Sequence, residues 1–406
     1  MSAATVETSF FVFVPDIRDA GTAGALCGRL AGDLGVGGVT VAATYHAAQD
    51  FLPRNPASRI AGRPAGAHYF PPNEDLYSAS PVKPWCPDEY AAPDLLAGLR
   101  AETSRRGMPL TAWTIFGFNE RAGRAHPELT QVNAYGDRYL TDLCPAQPGY
   151  AAYARAVAAD VTRYQPDWLL AESLHYHPVR EGRRFLVLDS WSRLALGLCF
   201  CPACERAATS SGVDTAGVRR WARSTADAAF AGTAGMGDAP LDMAAIHDVL
   251  DGELAAFFSV RAEIVTALAA GVGEVVRDAG TRFCFMDQAG AGDRLLGTTA
   301  AEDAGRFGVD LARLGAVCDG YQVLGYAPEP AAVGAEVAAY RAALPAPVTI
   351  RTALRPSWPD CTSPANLAGK ITAATANGAR GIDFYHYGLV SDDALDRVRE
   401  WKESPA

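Results

Sequence analysis

Short, nearly unbroken apolar runs alternate along the chain with longer stretches in which Ala and Leu recur among Arg and Glu. Eight of the runs read as strands: Phe10–Val14, Val39–Thr44, Leu110–Phe116, Trp168–Ala171, Arg282–Met286, Val317–Val323, Val348–Thr352 and Gly381–Tyr385. Most of the stretches between them read as helices, among them "AAPDLLAGLRAETSRRG", "GYAAYARAVAADVTRY" and "ELAAFFSVRAEIVTALAAGVGEVVRDAG". Strands that are apolar on both faces and alternate with helices belong to a parallel sheet covered on both sides. Eight such units predict an α/β fold, a closed (β/α)8 TIM barrel, as a single domain over residues 1–406. No GxGxxG follows the first strand, so a dinucleotide-binding sheet is disfavoured.

Two intervals are too long for plain connections. Residues 47–106, after the second strand, are rich in Pro and aromatics ("HYFPPNEDLYSASPVKPWCPDEY"). Residues 173–280, after the fourth, form an insertion that carries a cysteine cluster. Both follow the C-terminal ends of their strands, where a barrel builds its active site, and long loops there are more often functional than decorative.

The composition changes this picture little. The chain has 406 residues, 49% hydrophobic and 20% charged, with ample length for a large core. A net charge of −10, with no basic run interleaved with aromatics, makes nucleic acid and anionic membranes poor partners. No run approaches the length of a membrane span, and the N-terminal run Phe10–Val14 is too short for a signal segment. A cytoplasmic location is expected, with the nine cysteines reduced or metal-bound. The expected partner is a small carbohydrate; a homo-oligomer is compatible with the sequence.

The sharpest local signal is "LGLCFCPACERA", which sets Cys199, Cys201 and Cys204 on one loop around Pro202. Three thiolates call for a fourth ligand to complete a tetrahedral zinc site. Cys144, in "LTDLCPAQPGY", also precedes a Pro and follows the third strand, so its loop neighbours that of the triplet. Ordinary buried thiols are the competing reading. The run from "LCPAQPGYAAYARAVAADVTRY", through a strand ending in Glu, to "CFCPAC" resembles the metal-site region of glycoside hydrolase family 42 β-galactosidases and related barrel glycosidases. The resemblance covers residues 140–205. It implies structural Zn2+ held by Cys144, Cys199, Cys201 and Cys204, and a catalytic acid/base at Glu172. Two departures stand out. The acid/base of that family follows Asn, whereas Ala171 precedes Glu172; and the seventh strand, "VTIRTALRPSWPD", has no Glu where the family keeps its nucleophile.

Polar residues gather at the strand ends: Asp16 and Arg18, Tyr45 and His46, Asn119 and Glu120, then Glu172, His175 and His177. They continue with Asp287 and Gln288, Gln322, Arg351 and Arg355, and His386. Glycoside cleavage usually needs a second carboxylate, and Asp287 is the first choice, with Asp16 and Asp360 in reserve. Asp16, Tyr45, His46, His175, His177, Arg351, Trp358 and His386 are expected to contact the substrate. Loop packing competes with that role for His175 and His177, and their HxH spacing also admits a metal. Trp85, Trp113, Trp191, Tyr385 and Tyr387 are further aromatics at or near the rim; core packing competes there, most of all for Trp113. A glycosidase is the leading reading. A sugar isomerase, epimerase or lyase on the same barrel, or a non-catalytic carbohydrate-binding barrel, are the alternatives.

Overall fold

The computed structural model describes residues 6–179, 188–232, 241–292 and 294–403. Eight parallel strands form the barrel: β1 (Glu7–Val12), β2 (Gly38–Tyr45), β3 (Leu110–Ile115), β4 (Trp168–Glu172), β5 (Arg282–Met286), β6 (Gly320–Leu324), β7 (Thr349–Leu354) and β8 (Ala379–Phe384). Each pairs with the next, and β1 closes the ring against both β2 (Ser9 opposite Gly38) and β8 (Glu7 opposite Gly381). This is the (β/α)8 barrel that the sequence predicts. All eight strands appear where the apolar runs lie, with ends shifted by a few residues. β1 starts three residues early, at Glu7 rather than Phe10, and β6 three late, at Gly320 rather than Val317; Asp319 sits at the barrel's lower edge, its carboxylate accepting from the Phe283 amide at 2.8 Å.

The strands are buried on both faces, as their composition requires. The floor of the barrel is polar. Arg351 on β7 donates to both oxygens of Asp383 on β8 (2.6 and 3.0 Å) and to Glu7 on β1 (2.8 Å). Ser9 donates to Asp383 at 2.5 Å and bonds to Thr40 on β2. Gly381 makes room for this arrangement, since a Cβ there would lie 2.6 Å from the Arg351 guanidinium carbon.

Both long connections carry their own structure. After β2, Ala48–Phe51 and Ile60–Arg63 pair as an antiparallel hairpin, and Ala67–His68 adds to the end of β2. After β4, helices Ser190–Leu196, Pro202–Ser210, Thr215–Phe230 and Met243–Asp248 lead to the long helix Glu253–Asp278. Trp191, Leu194, Phe200, Val218, Phe257 and their neighbours form a second, smaller apolar cluster there. Trp191 is therefore part of an interior beside Trp221, not a rim aromatic. The stretch Met243–Asp278 is long and apolar enough to cross a membrane, yet half of its apolar window is buried within the protein. Val265, Leu268, Val272 and Val276 face the main core, each worth about 1.5–3 kcal/mol if fully buried.

Candidate active site

Glu172 is the last residue of β4, in register with Ile115 of β3 and Met286 of β5. The backbone turns sharply after it: Ser173 adopts φ +64°, a left-handed conformation unusual for a residue with a side chain. The turn is fixed by the Ser173 carbonyl, which accepts from Gly117 N and from the Tyr150 hydroxyl, both at 2.9 Å. Gly117 permits that approach, because a Cβ there would sit 2.6 Å from the same carbonyl oxygen.

The Glu172 carboxylate is buried, and each oxygen has its own donor. Trp113 Nε1 donates to Oε2 at 2.7 Å and Gln288 Nε2 to Oε1 at 2.5 Å. Indole N–H and amide NH2 can only donate, so both oxygens of this carboxylate act as acceptors. Glu172 opens into a cavity of about 120 Å3 inside the ring of strand ends, lined also by Tyr45, His46, Gln288, Tyr326, Arg355 and Tyr385. Tyr45 and Tyr385 are hydrogen-bonded to each other. Burial raises both phenols, Tyr385 to about 12, so they act as neutral hydroxyls at physiological pH. His46 stacks on Tyr45 (centroids 4.3 Å apart). Among the described residues, Glu172 is the only carboxylate lining this cavity.

Of the residues expected at the site, Glu172, Tyr45 and His46 come together here. Asp287 does not. Met286 faces the cavity, so the next residue turns to the helix side of the sheet. There Asp287 accepts from Tyr321 (2.6 Å), from Tyr340 on helix Pro330–Ala343 (2.8 Å) and from Ala289 N (2.9 Å). Burial pushes its pKa up to about 6, partly offset by these bonds. Arg351 is part of the floor, not of the mouth. Trp358 is 79% exposed on the loop after β7, away from the lining.

Asp16 borders a separate rim cavity of about 290 Å3 with Asp19, Arg54 and Tyr387. Its Oδ2 accepts from Phe13 N at 2.7 Å, and burial lifts its pKa to about 7. His386 is fully buried against Phe13, with burial lowering its pKa well below the ordinary value. Tyr387 lies under the Arg54 guanidinium, and Trp85 under that of Arg121. His175 and His177 are buried side by side, His177 Nδ1 lying 2.7 Å from Asp142 Oδ1; this is the packing role. Asp360, the other reserve carboxylate, faces Arg355 at 3.3 Å. Sequence reasoning passed over Tyr326 and ranked Trp113 as core. Period-2 alternation from Met286 would have selected Gln288 over Asp287.

The four cysteines converge. Cys144 follows the hairpin Thr130–Val132/Arg138–Leu143, while Cys201 and Cys204 begin helix Pro202–Ser210. Cys144 Sγ lies 3.6 Å from Cys201, 3.5 Å from Cys204 and 3.7 Å from Cys199, and all four sulfurs fall within 4.8 Å of one another. A tetrahedron with metal–sulfur bonds of about 2.3 Å has sulfur–sulfur edges of about 3.8 Å, so this buried quartet can hold a metal ion. Val132 N and Gln147 Nε2 donate to Cys199 and Cys201, both at 3.4 Å. Burial pushes the Cys144 thiol up, whereas hydrogen bonds from the other three thiols push Cys201 down.

No family model matches the chain, and no curated protein matches it. Solved structures do. A β-galactosidase from the psychrophilic Marinomonas ef1 aligns over 97% of this chain and 58% of its own, with a TM-score of 0.53 and 10% identity. The α-L-fucosidase isoenzyme 2 of Paenibacillus thiaminolyticus aligns over 92% of this chain and 44% of its own, with a TM-score of 0.50 and 13% identity. The chain thus spans about half the length of these structures. The likeness is one of fold: a barrel of the kind that glycoside hydrolases use.

Proposed function

We propose that the chain is a glycoside hydrolase-like enzyme acting on a small glycoside, with Glu172 as general acid/base. The observation that carries this reading is the isolated carboxylate at the bottom of the mouth cavity, oriented through both oxygens by Trp113 and Gln288. The fold likeness to glycosidase barrels agrees with it. Glu172 would deliver a proton to the leaving glycosidic oxygen and later take one from water. With one carboxylate among the described lining residues, the nucleophilic half of the reaction falls to a group of the substrate, a recognised departure from the two-carboxylate scheme. A cavity of about 120 Å3 is below the usual ligand-pocket range of about 300–1,000 Å3, which favours a single terminal ring over an internal chain segment.

Cys144, Cys199, Cys201 and Cys204 would hold Zn2+. Bound there, the ion has four protein ligands and no open position, so its role is to clamp the loops after β3 and β4. A cytoplasmic setting fits the free thiols.

The test is a screen of aryl α- and β-glycosides with wild type beside Glu172→Gln, with zinc measured per chain on the same samples. We expect hydrolysis that falls about 10²–10⁴-fold in the variant at unchanged zinc content. Turnover that survives Glu172→Gln overturns the assignment. A second reading, a sugar isomerase or lyase, is favoured by the single carboxylate among the described lining residues; it predicts product without release of the aglycone.

A further inference from the structure

Arg355 directly follows the end of β7 at the barrel mouth, and its charge bears on what the cavity can hold. The Arg355 guanidinium carbon lies 3.7 Å from the Tyr326 ring centroid and 5.9 Å from that of Tyr385. A guanidinium held over an aromatic face can still offer an N–H edge for bidentate recognition. Among the described residues its one ionic partner is Asp360, through Nη1 at 3.3 Å, so one N–H of five is engaged there. The side chain is 43% exposed and lines the same cavity as Glu172. Among the described lining residues it is the sole permanent cation.

We infer that this cavity takes a sugar bearing a carboxylate, a uronic-acid glycoside, with Arg355 holding the acid group. The inference rests on the glycosidase reading for the bond that is cleaved, but not for the group that is recognised. Neutral sugar hydroxyls both donate and accept, and they are matched by Tyr, Gln or carboxylate groups. A guanidinium only donates, and its planar fork is complementary to a partner that only accepts, above all a carboxylate. The Tyr326 and Tyr385 hydroxyls, held neutral by burial, would add donors around the same acid group.

The experiment is calorimetric binding of methyl glucuronide and methyl galacturonide, in both anomers, beside the matching methyl glucosides and galactosides. The proteins are wild type, Glu172→Gln, Arg355→Met and Arg355→Lys, each checked for fold by circular dichroism and for metal content. We expect at least one uronide to bind wild type and Glu172→Gln tenfold or more tightly than its neutral counterpart. Arg355→Met should erase that preference and Arg355→Lys should restore part of it. Equal binding of neutral and acidic sugars, no uronide binding at all, or a preference that survives Arg355→Met would each overturn the inference. The two readings fail separately. Uronides bound through Arg355 but never cleaved would sink the glycosidase reading alone. Neutral glycosides cleaved through Glu172 at a rate indifferent to Arg355→Met would sink the uronide inference alone.

Discussion

The Tyr176 hydroxyl lies 3.2 Å from Cys204 Sγ, joining the segment that leaves Glu172 to the cysteine quartet. The ring of Tyr176 carries the buried Arg261 guanidinium 4.4 Å from its centroid, and the Tyr176 amide donates to Phe307 O. Through this residue a metal clamp would reach Glu172. Tyr176→Phe is expected to keep one zinc per chain, lose about 1 kcal/mol of stability and lower kcat several-fold with KM little changed. Cys201→Ser, which removes a ligand, should instead release zinc and lower Tm by many degrees. Metal analysis and calorimetry on the two variants separate these outcomes.

Trp113 holds the Oε2 side of Glu172. Trp113→Phe keeps an aromatic ring in the wall and deletes the donor, so a buried carboxylate oxygen is left unpaired at a cost of about 1–3 kcal/mol. The expected result is a roughly tenfold drop in kcat, smaller than that of Glu172→Gln. Steady-state kinetics of both variants check it.

Asp287 supplies a pH signature of folding. Its pKa rises from 3.8 to about 6 in the folded protein, chiefly through burial. Below pH 4 the group is protonated in both states and costs nothing. As pH rises through the interval to 6 the unfolded chain ionises first, so folding loses about 3 kcal/mol from this residue by pH 6 and beyond. Asp16, raised to about 7, acts in the same direction, while His68, lowered to about 4, acts in the opposite one. The difference between Asp287→Asn and wild type isolates one group. The stability of the variant relative to wild type should climb between pH 4 and 6 and then level off, in urea melts at closely spaced pH values. A flat difference would refute the buried-acid account.

Arg351 and Asp383 form a buried ion pair with both partners hydrogen-bonded. Removing one partner strands the other charge, so Asp383→Asn or Arg351→Met should each cost about 3–5 kcal/mol, with the double variant less destabilised than the sum. A double-mutant cycle by denaturant melts reads this directly.

Much of this molecule is legible in its sequence because barrel strands are buried on both faces and so appear as plain apolar runs. The quartet is legible too, since C-x-C-x2-C and a distant Cys-Pro announce ligands by type and spacing. Which way a residue points just past a strand is not. Asp287 and Gln288 are neighbours, yet one bonds to Tyr340 outside the sheet and the other to Glu172 inside it. Choosing between them requires knowing that Met286 faces the cavity, which an apolar run buried on both faces does not reveal. Trp191 misleads for a related reason: the insertion has an apolar cluster of its own, and aromatics serving it look like rim residues from the sequence alone.

The polar floor joins β7, β8, β1 and β2, and so bridges the junction where the first strand made meets the last. On the ribosome, Glu7 and Ser9 emerge long before Arg351 and Asp383. Until the final strand is released, β1 has no neighbour on one side and Ser9 lacks its Asp383 partner. The nascent chain must therefore carry an open, unsealed edge through most of its synthesis. A stall before residue 383 would leave a product that chaperones and proteases can tell from the finished ring.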